Sequence, residues 1–121
     1  MSGTDTNINY ALKTIPSNHN IKTATLSGVG QTDWMTLTKR TTKLHEHEFT
    51  ADIEDVSSAT GTFIVEARII NDDGSFGLTK TIYSSAAVSD FPQVGRLTGK
   101  HQVRMRCSAY TSGSFILHMQ Q

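Results

Sequence analysis

The chain has 121 residues, 11 Lys plus Arg against 11 Asp plus Glu, and an apolar fraction of 36%. That length suits one domain, since two cores cut from it would each be small. A formal charge of zero builds no basic field of the kind that non-specific nucleic-acid binding needs, so no nucleic-acid partner is expected. With Cys107 as the single cysteine there is no intrachain disulfide and no thiolate-based zinc site.

Residues 1–19 are polar, with Ile8, Tyr10, Leu12 and Ile15 as isolated apolar residues before Pro16-Ser17-Asn18. They read as an arm, either disordered alone or ordered against a neighbour, with Tyr10 as its candidate contact residue. The stretch has neither a basic region nor an apolar core, so no signal peptide is expected, and no apolar run approaches membrane-spanning length. Residues 20–121 form the expected single domain.

From Ile21 onward the hydrophobic period is two. Lys22, Ala24 and Leu26 alternate with Ile21, Thr23 and Thr25, and a second strand over Trp34 to Thr38 sets Met35 and Leu37 opposite Trp34, Thr36 and Thr38. From Leu44 to Ile53, His45, His47, Phe49, Ala51 and Ile53 share one face, and Glu46, Glu48, Thr50 and Asp52 the other. Thr62 to Ile70 alternates too, with Ile64, Glu66 and Arg68 on one side and Phe63, Val65 and Ala67 on the other. Asn71-Asp72-Asp73-Gly74-Ser75 is the strongest turn signal in the chain.

Beyond it, Leu78 to Ser84 and Ala86 to Val88 extend the pattern, and Pro92 with Gly95 marks a loop or an edge. Val103, Met105, Cys107 and Ala109 oppose Arg104, Arg106 and Tyr110. A turn at Thr111 to Ser114 then reads as a closing hairpin into Phe115 to Met119. No window has a sustained helical period. The chain is therefore expected to be all-β, an antiparallel sandwich or barrel of seven or eight strands, with long polar connections that favour Greek-key or jelly-roll crossing.

Chemistry-bearing motifs are sparse. His45 and His47 share a strand face and are weak candidates for a metal ion, needing a third ligand such as His101 or His118. Asp72 and Asp73 sit in a turn, where they favour the bend rather than hold calcium or act as acid and base. No G-x-S-x-G frames a serine, and Gly28-Val29-Gly30 lacks the third glycine of a dinucleotide fingerprint. No enzyme activity, no metal and no cofactor is expected. Cys107 reads as a small buried hydrophobe. Trp34, Arg104, Arg106 and Tyr110 are residue types that supply interface hot spots. Trp34, Tyr83 or Tyr110 would equally serve a sugar as a stacking platform.

Residues 103–117, an Arg-bearing strand running through Thr111-Ser112-Gly113-Ser114 into an apolar last strand, resemble the closing hairpin of small bacteriophage virion β-sandwich proteins. Trp34 and Leu37, the strand through Phe49, and Gly61 to Arg68 extend the resemblance over about residues 31–121. It implies a jelly-roll-like structural protein of the particle, in a capsid-decoration, head-fibre or tail-associated role. Its expected partners are other virion proteins and copies of itself, in a virion assembled in the host cytoplasm. The alternative from a different class is a carbohydrate-binding module for a host-surface glycan.

Overall fold

The computed structural model describes residues 20–38 and 46–121. Among these residues nine strands follow in chain order: β1 (Ile21–Leu26), β2 (Gly30–Gln31), β3 (Met35–Thr36), β4 (Glu46–Asp55), β5 (Thr60–Ile69), β6 (Lys80–Ser85), β7 (Gln93–Thr98), β8 (His101–Ser112) and β9 (Phe115–Gln120). They form two antiparallel sheets. One runs β1-β9-β4-β7; the other runs β2-β8-β5-β6, with β3 also on β8. Both β2 and β3 pair with β8, so they are the halves of one strand broken at Thr32-Asp33-Trp34. Counted that way the described residues form eight strands, and among them only β5–β6 joins sequence neighbours within one sheet by a hairpin. Every other link between these eight crosses the sandwich, which is the jelly-roll arrangement.

The inward positions supply the core. Phe49, Ala51 and Ile53 from β4, Phe63 and Val65 from β5, Val103, Met105 and Cys107 from β8, and Phe115, Leu117 and Met119 from β9 are all buried. Phe63 lies at the centre, edge-on to Phe115 at 5.1 Å and to Phe91 at 6.4 Å between ring centroids. Burying each such ring stabilises the fold by roughly 2–3 kcal/mol, with a further ~1 kcal/mol for the edge-to-face geometry. Both faces of β5 are largely covered, because Ile64 and Glu66 on the outward side are buried as well.

Three expectations need correction. The segment around Pro92 and Gly95 does mark an edge, but it contains a strand, β7, that the alternation did not reveal. Gly95 interrupts its apolar pattern, and its bare backbone lies against the Phe49 ring, where a Cβ would collide. The stretch Ala86 to Val88 does not continue a strand; a single 3-10 turn forms at Val88–Asp90.

The third correction concerns the end of the chain. β8 and β9 do not pair as a hairpin: β8 lies in one sheet, and β9 pairs with β1 and β4 in the other. Thr111 to Ser114 is therefore a corner between layers. Gly113 has φ +90° there, and a Cβ on it would strike the carbonyl oxygens of Ser57 and Ser58. The β4–β5 loop is tied to this corner by Val56 N and Ser57 N donating to Ser114 O at 3.0 and 3.1 Å, and by a 2.7 Å contact between the Ser57 and Ser114 hydroxyls. By contrast, Asn71 to Ser75 is a true hairpin end, with Gly74 N donating to Asn71 O at 2.9 Å and Gly74 at φ +88°.

The corner makes a testable distinction between two glycines. Gly99 shares a φ of +88° but has open space where a side chain would go. Gly113→Ala is expected to cost about 2–4 kcal/mol, and Gly99→Ala only the ~1–2 kcal/mol of left-handed backbone. Urea unfolding of the two variants checks this, and equal losses would show that the corner is not tightly packed.

Candidate functional site

The outward side of the β5–β8 ladder carries the densest ordered polar cluster among the described residues. Register sets Glu66 beside Arg104, Arg68 beside Gln102 and Ile64 beside Arg106. Arg104 donates through Nε to Glu66 Oε1 at 2.9 Å. Arg106 donates through Nε to the same oxygen at 3.2 Å and through Nη2 to Oε2 at 3.1 Å. Glu66 is 5% exposed, so this carboxylate is held largely away from water between two guanidinium groups. Burial acts to raise its pKa, but the hydrogen bonds and charges of Arg104 and Arg106 together outweigh it and keep the carboxyl below the usual glutamate range.

Trp34 caps the cluster. It stands in the break between β2 and β3, where it is free of the pleat and reaches over the sheet. The Arg68 guanidinium lies 4.2 Å and that of Arg104 4.4 Å from its ring centroid. Arg68 also stacks on Phe76, at 3.8 Å. Its Nε and Nη2 donate to Gln102 Oε1 at 2.9 and 2.7 Å, and Gln102 Nε2 donates to Thr36 Oγ1 at 2.9 Å. Each stacked pair contributes about 0.5–2 kcal/mol and, with the fork to Gln102, fixes long side chains that would otherwise be mobile. The result is a pre-ordered array of three arginines, one tryptophan and one glutamate.

Of the sequence-predicted residues, Trp34, Arg104 and Arg106 come together here. Tyr110 does not. On β8, Cys107 pairs with Phe63 and Ala109 with Thr62, so Ser108 is an extra residue. This bulge reverses the alternation and sets Tyr110 beside Gly61 on the opposite side of the sheet from Arg104 and Arg106. Its hydroxyl donates to Gly113 O at 2.9 Å. Tyr83 turns inward and packs edge-on against Phe91 at 5.5 Å. The three aromatics considered as a sugar platform thus occupy three separate settings, and Trp34 already carries two cations on its ring.

Arg68, Phe76 and Gln102 were not among the sequence candidates. Arg68 shares the outward face of β5 with Glu66, but its meeting with Trp34 depends on β5 and β8 being neighbours, which no local pattern encodes.

The third ligands suggested for the histidine pair do not join His47. His45 and Tyr10 lie outside the described residues. His47 is buried on the inward side of β4, paired with Leu97. His118 is on the outward side of the same sheet, 3.2 Å from Glu54, and His101 opens β8 in the other sheet. Among the described residues no three His, Cys, Asp or Glu side chains gather as a metal site. Asp73 accepts from Ser75 Oγ at 2.6 Å and Ser75 N at 2.9 Å, bonds that hold its carboxyl below the ordinary range and brace the turn. Burial pushes the Cys107 thiol up, against a 3.2 Å bond from Sγ to Ala109 O.

The lowered Glu66 pKa gives a pH signature. The folded-state value lies below the unfolded one, near 4.5, so ionised Glu66 contributes stability that is present in full above about pH 4.5. That contribution fades as the pH falls through the lower folded-state value. Glu66→Gln is expected to lose about 2 kcal/mol at neutral pH, since both arginines keep a partial partner and some water. Its stability should then fall less steeply than that of the parent below about pH 4.5. Parallel acid profiles in urea unfolding would show that the carboxylate is not held this way.

No protein-family model matches this chain, and no curated protein matches it in sequence, so function has to be argued from the surface itself.

Proposed function

We propose that this chain is a non-enzymatic structural protein of a bacteriophage particle, in a capsid-decoration, head-fibre or tail-associated position. It acts through protein–protein assembly with other virion proteins and with copies of itself. The observation that carries the assembly reading is the pre-ordered array around Trp34. Tryptophan and arginine supply a disproportionate share of interface hot spots, and side chains already fixed lose less entropy when a partner covers them. Here Arg68 and Arg104 are held against Trp34, and Glu66 and Gln102 hold the guanidinium groups in place. The jelly-roll topology suits the role, being shared by capsid and lectin domains.

The particle setting comes from the sequence resemblance over residues 31–121. The stretch that carries it, residues 103–117, reads in sequence as a closing hairpin, whereas its turn at Thr111 to Ser114 is a corner between the two sheets. Glycan binding rests on Trp34 alone once Tyr83 and Tyr110 are placed elsewhere.

Two measurements test this reading. The protein should be present at fixed stoichiometry in gradient-purified particles, and light scattering should give a mass above the 13.3 kDa of one chain. A monomer at every concentration, together with absence from particles, overturns it. Glycan-array binding that is lost in Trp34→Ala would instead assign the surface to host glycans.

A further inference from the structure

Arg104 and Arg106 share the carboxylate of Glu66, and among the described residues Arg68 enters no ion pair. The Nε and Nη2 of Arg68 both donate to the amide oxygen of Gln102, a neutral partner, and no described residue accepts from its Nη1. Arg104 donates to Glu66 through Nε alone, although its side chain is only 22% exposed. Donors this sheltered ordinarily find an acceptor. Here the described residues supply none for the Nη groups that Arg68 and Arg104 hold beside Trp34. An ordinary surface arginine is a mobile, hydrated charge, whereas Arg68 is fixed in advance by Trp34, Phe76 and Gln102. Its surroundings are apolar. Phe76 is 47% and Leu78 89% exposed, and Arg68 borders a shallow hollow with Ile69, Gly77 and Leu78.

We infer that Arg68 and Arg104 receive carboxylates from an acidic, extended segment of the protein that covers this face. The inference rests on the assembly reading above and names the chemistry of the partner. The parallel N–H groups of a guanidinium match the two oxygens of a carboxylate, and such charged hydrogen bonds are about twice as strong as neutral ones. Both guanidinium groups lie within 4.4 Å of one ring centroid. Acidic residues two apart on an extended segment, about 7 Å, therefore reach both. Apolar residues next to them would lie on Phe76 and Leu78. A glycan acid fits less well, because a sugar ring stacks on an open aromatic face and Trp34 has two guanidinium groups over its ring. Arginines already held in place lose little freedom when the segment arrives, so the array selects its partner by charge and spacing.

Trp34 is the only tryptophan of the chain, so its emission reads occupancy of this array. The full chain is titrated at low salt with the peptide acetyl-Leu-Glu-Leu-Glu-Leu-amide up to ~10 mM, a range that covers weak single-site binding. A saturable change in Trp34 emission is expected. The peptide with Gln in place of Glu should bind about tenfold or more weakly, and Arg68→Gln should weaken binding of the acidic peptide as much. Arg96→Gln, which removes the same charge from the other sheet, should leave binding within about twofold of the parent. Circular dichroism melts establish that the variants are folded. If Arg68→Gln melts early, the comparison of the two peptides on the parent decides. The carboxylate site is overturned by the lack of a saturable change, by equal binding of the two peptides, or by equal effects of Arg68→Gln and Arg96→Gln. Tighter binding of glucuronate than of the peptide overturns the choice of a protein partner. A chain present in purified particles that ignores the acidic peptide overturns the site and leaves the structural role intact. A chain that binds the peptide but is monomeric and absent from particles supports the site and removes the virion reading.

Discussion

The pairing of β5 with β8 supports both the core and the surface of this protein. On its inward side the ladder sets Phe63, Val65 and Ala67 against Val103, Met105 and Cys107, the middle of the hydrophobic layer. On its outward side the same register brings Arg104 and Arg106 into hydrogen-bonding distance of Glu66, and Arg68 into that of Gln102. A one-residue slip of β8 would exchange its two sets, burying the guanidinium groups of Arg104 and Arg106 and exposing Val103, Met105 and Cys107. The register is therefore specified from both faces, and the outer array gets its rigidity from a strand pair that the core already fixes.

Burial of Glu66 is the feature of this array that most needs explanation. Taking a carboxylate out of water costs several kcal/mol unless geometry compensates, and replacing such a group with an apolar one is often neutral for stability. Here two arginines supply three hydrogen bonds, and both guanidinium groups keep contact with solvent. The arrangement is a poor means of adding stability and a good means of aiming charged groups. Arg104 is held where it stacks on Trp34, and Gln102 does the same for Arg68. A surface so constrained suits recognition more than general solubility.

Much of the fold was legible because strands with one buried face announce themselves by alternation. β1, β4, β5 and the first part of β8 have the faces their sequences imply, and Met35 and Leu37 point inward as expected. What was not legible has specific causes. Gly95 removes an apolar residue from the inward side of β7 because Phe49 fills that space. Ser108 adds one residue to β8 and so turns Tyr110 to the other side, a change with no local mark in composition. The glycine turn at 111–114 reports a reversal but not which sheet receives the next strand. That choice is made by contacts with Ser57 and Ser58, more than fifty residues earlier. The array around Trp34 was half legible for the same reason: residue types suggested an interface, but the contact with Arg68 is set by topology.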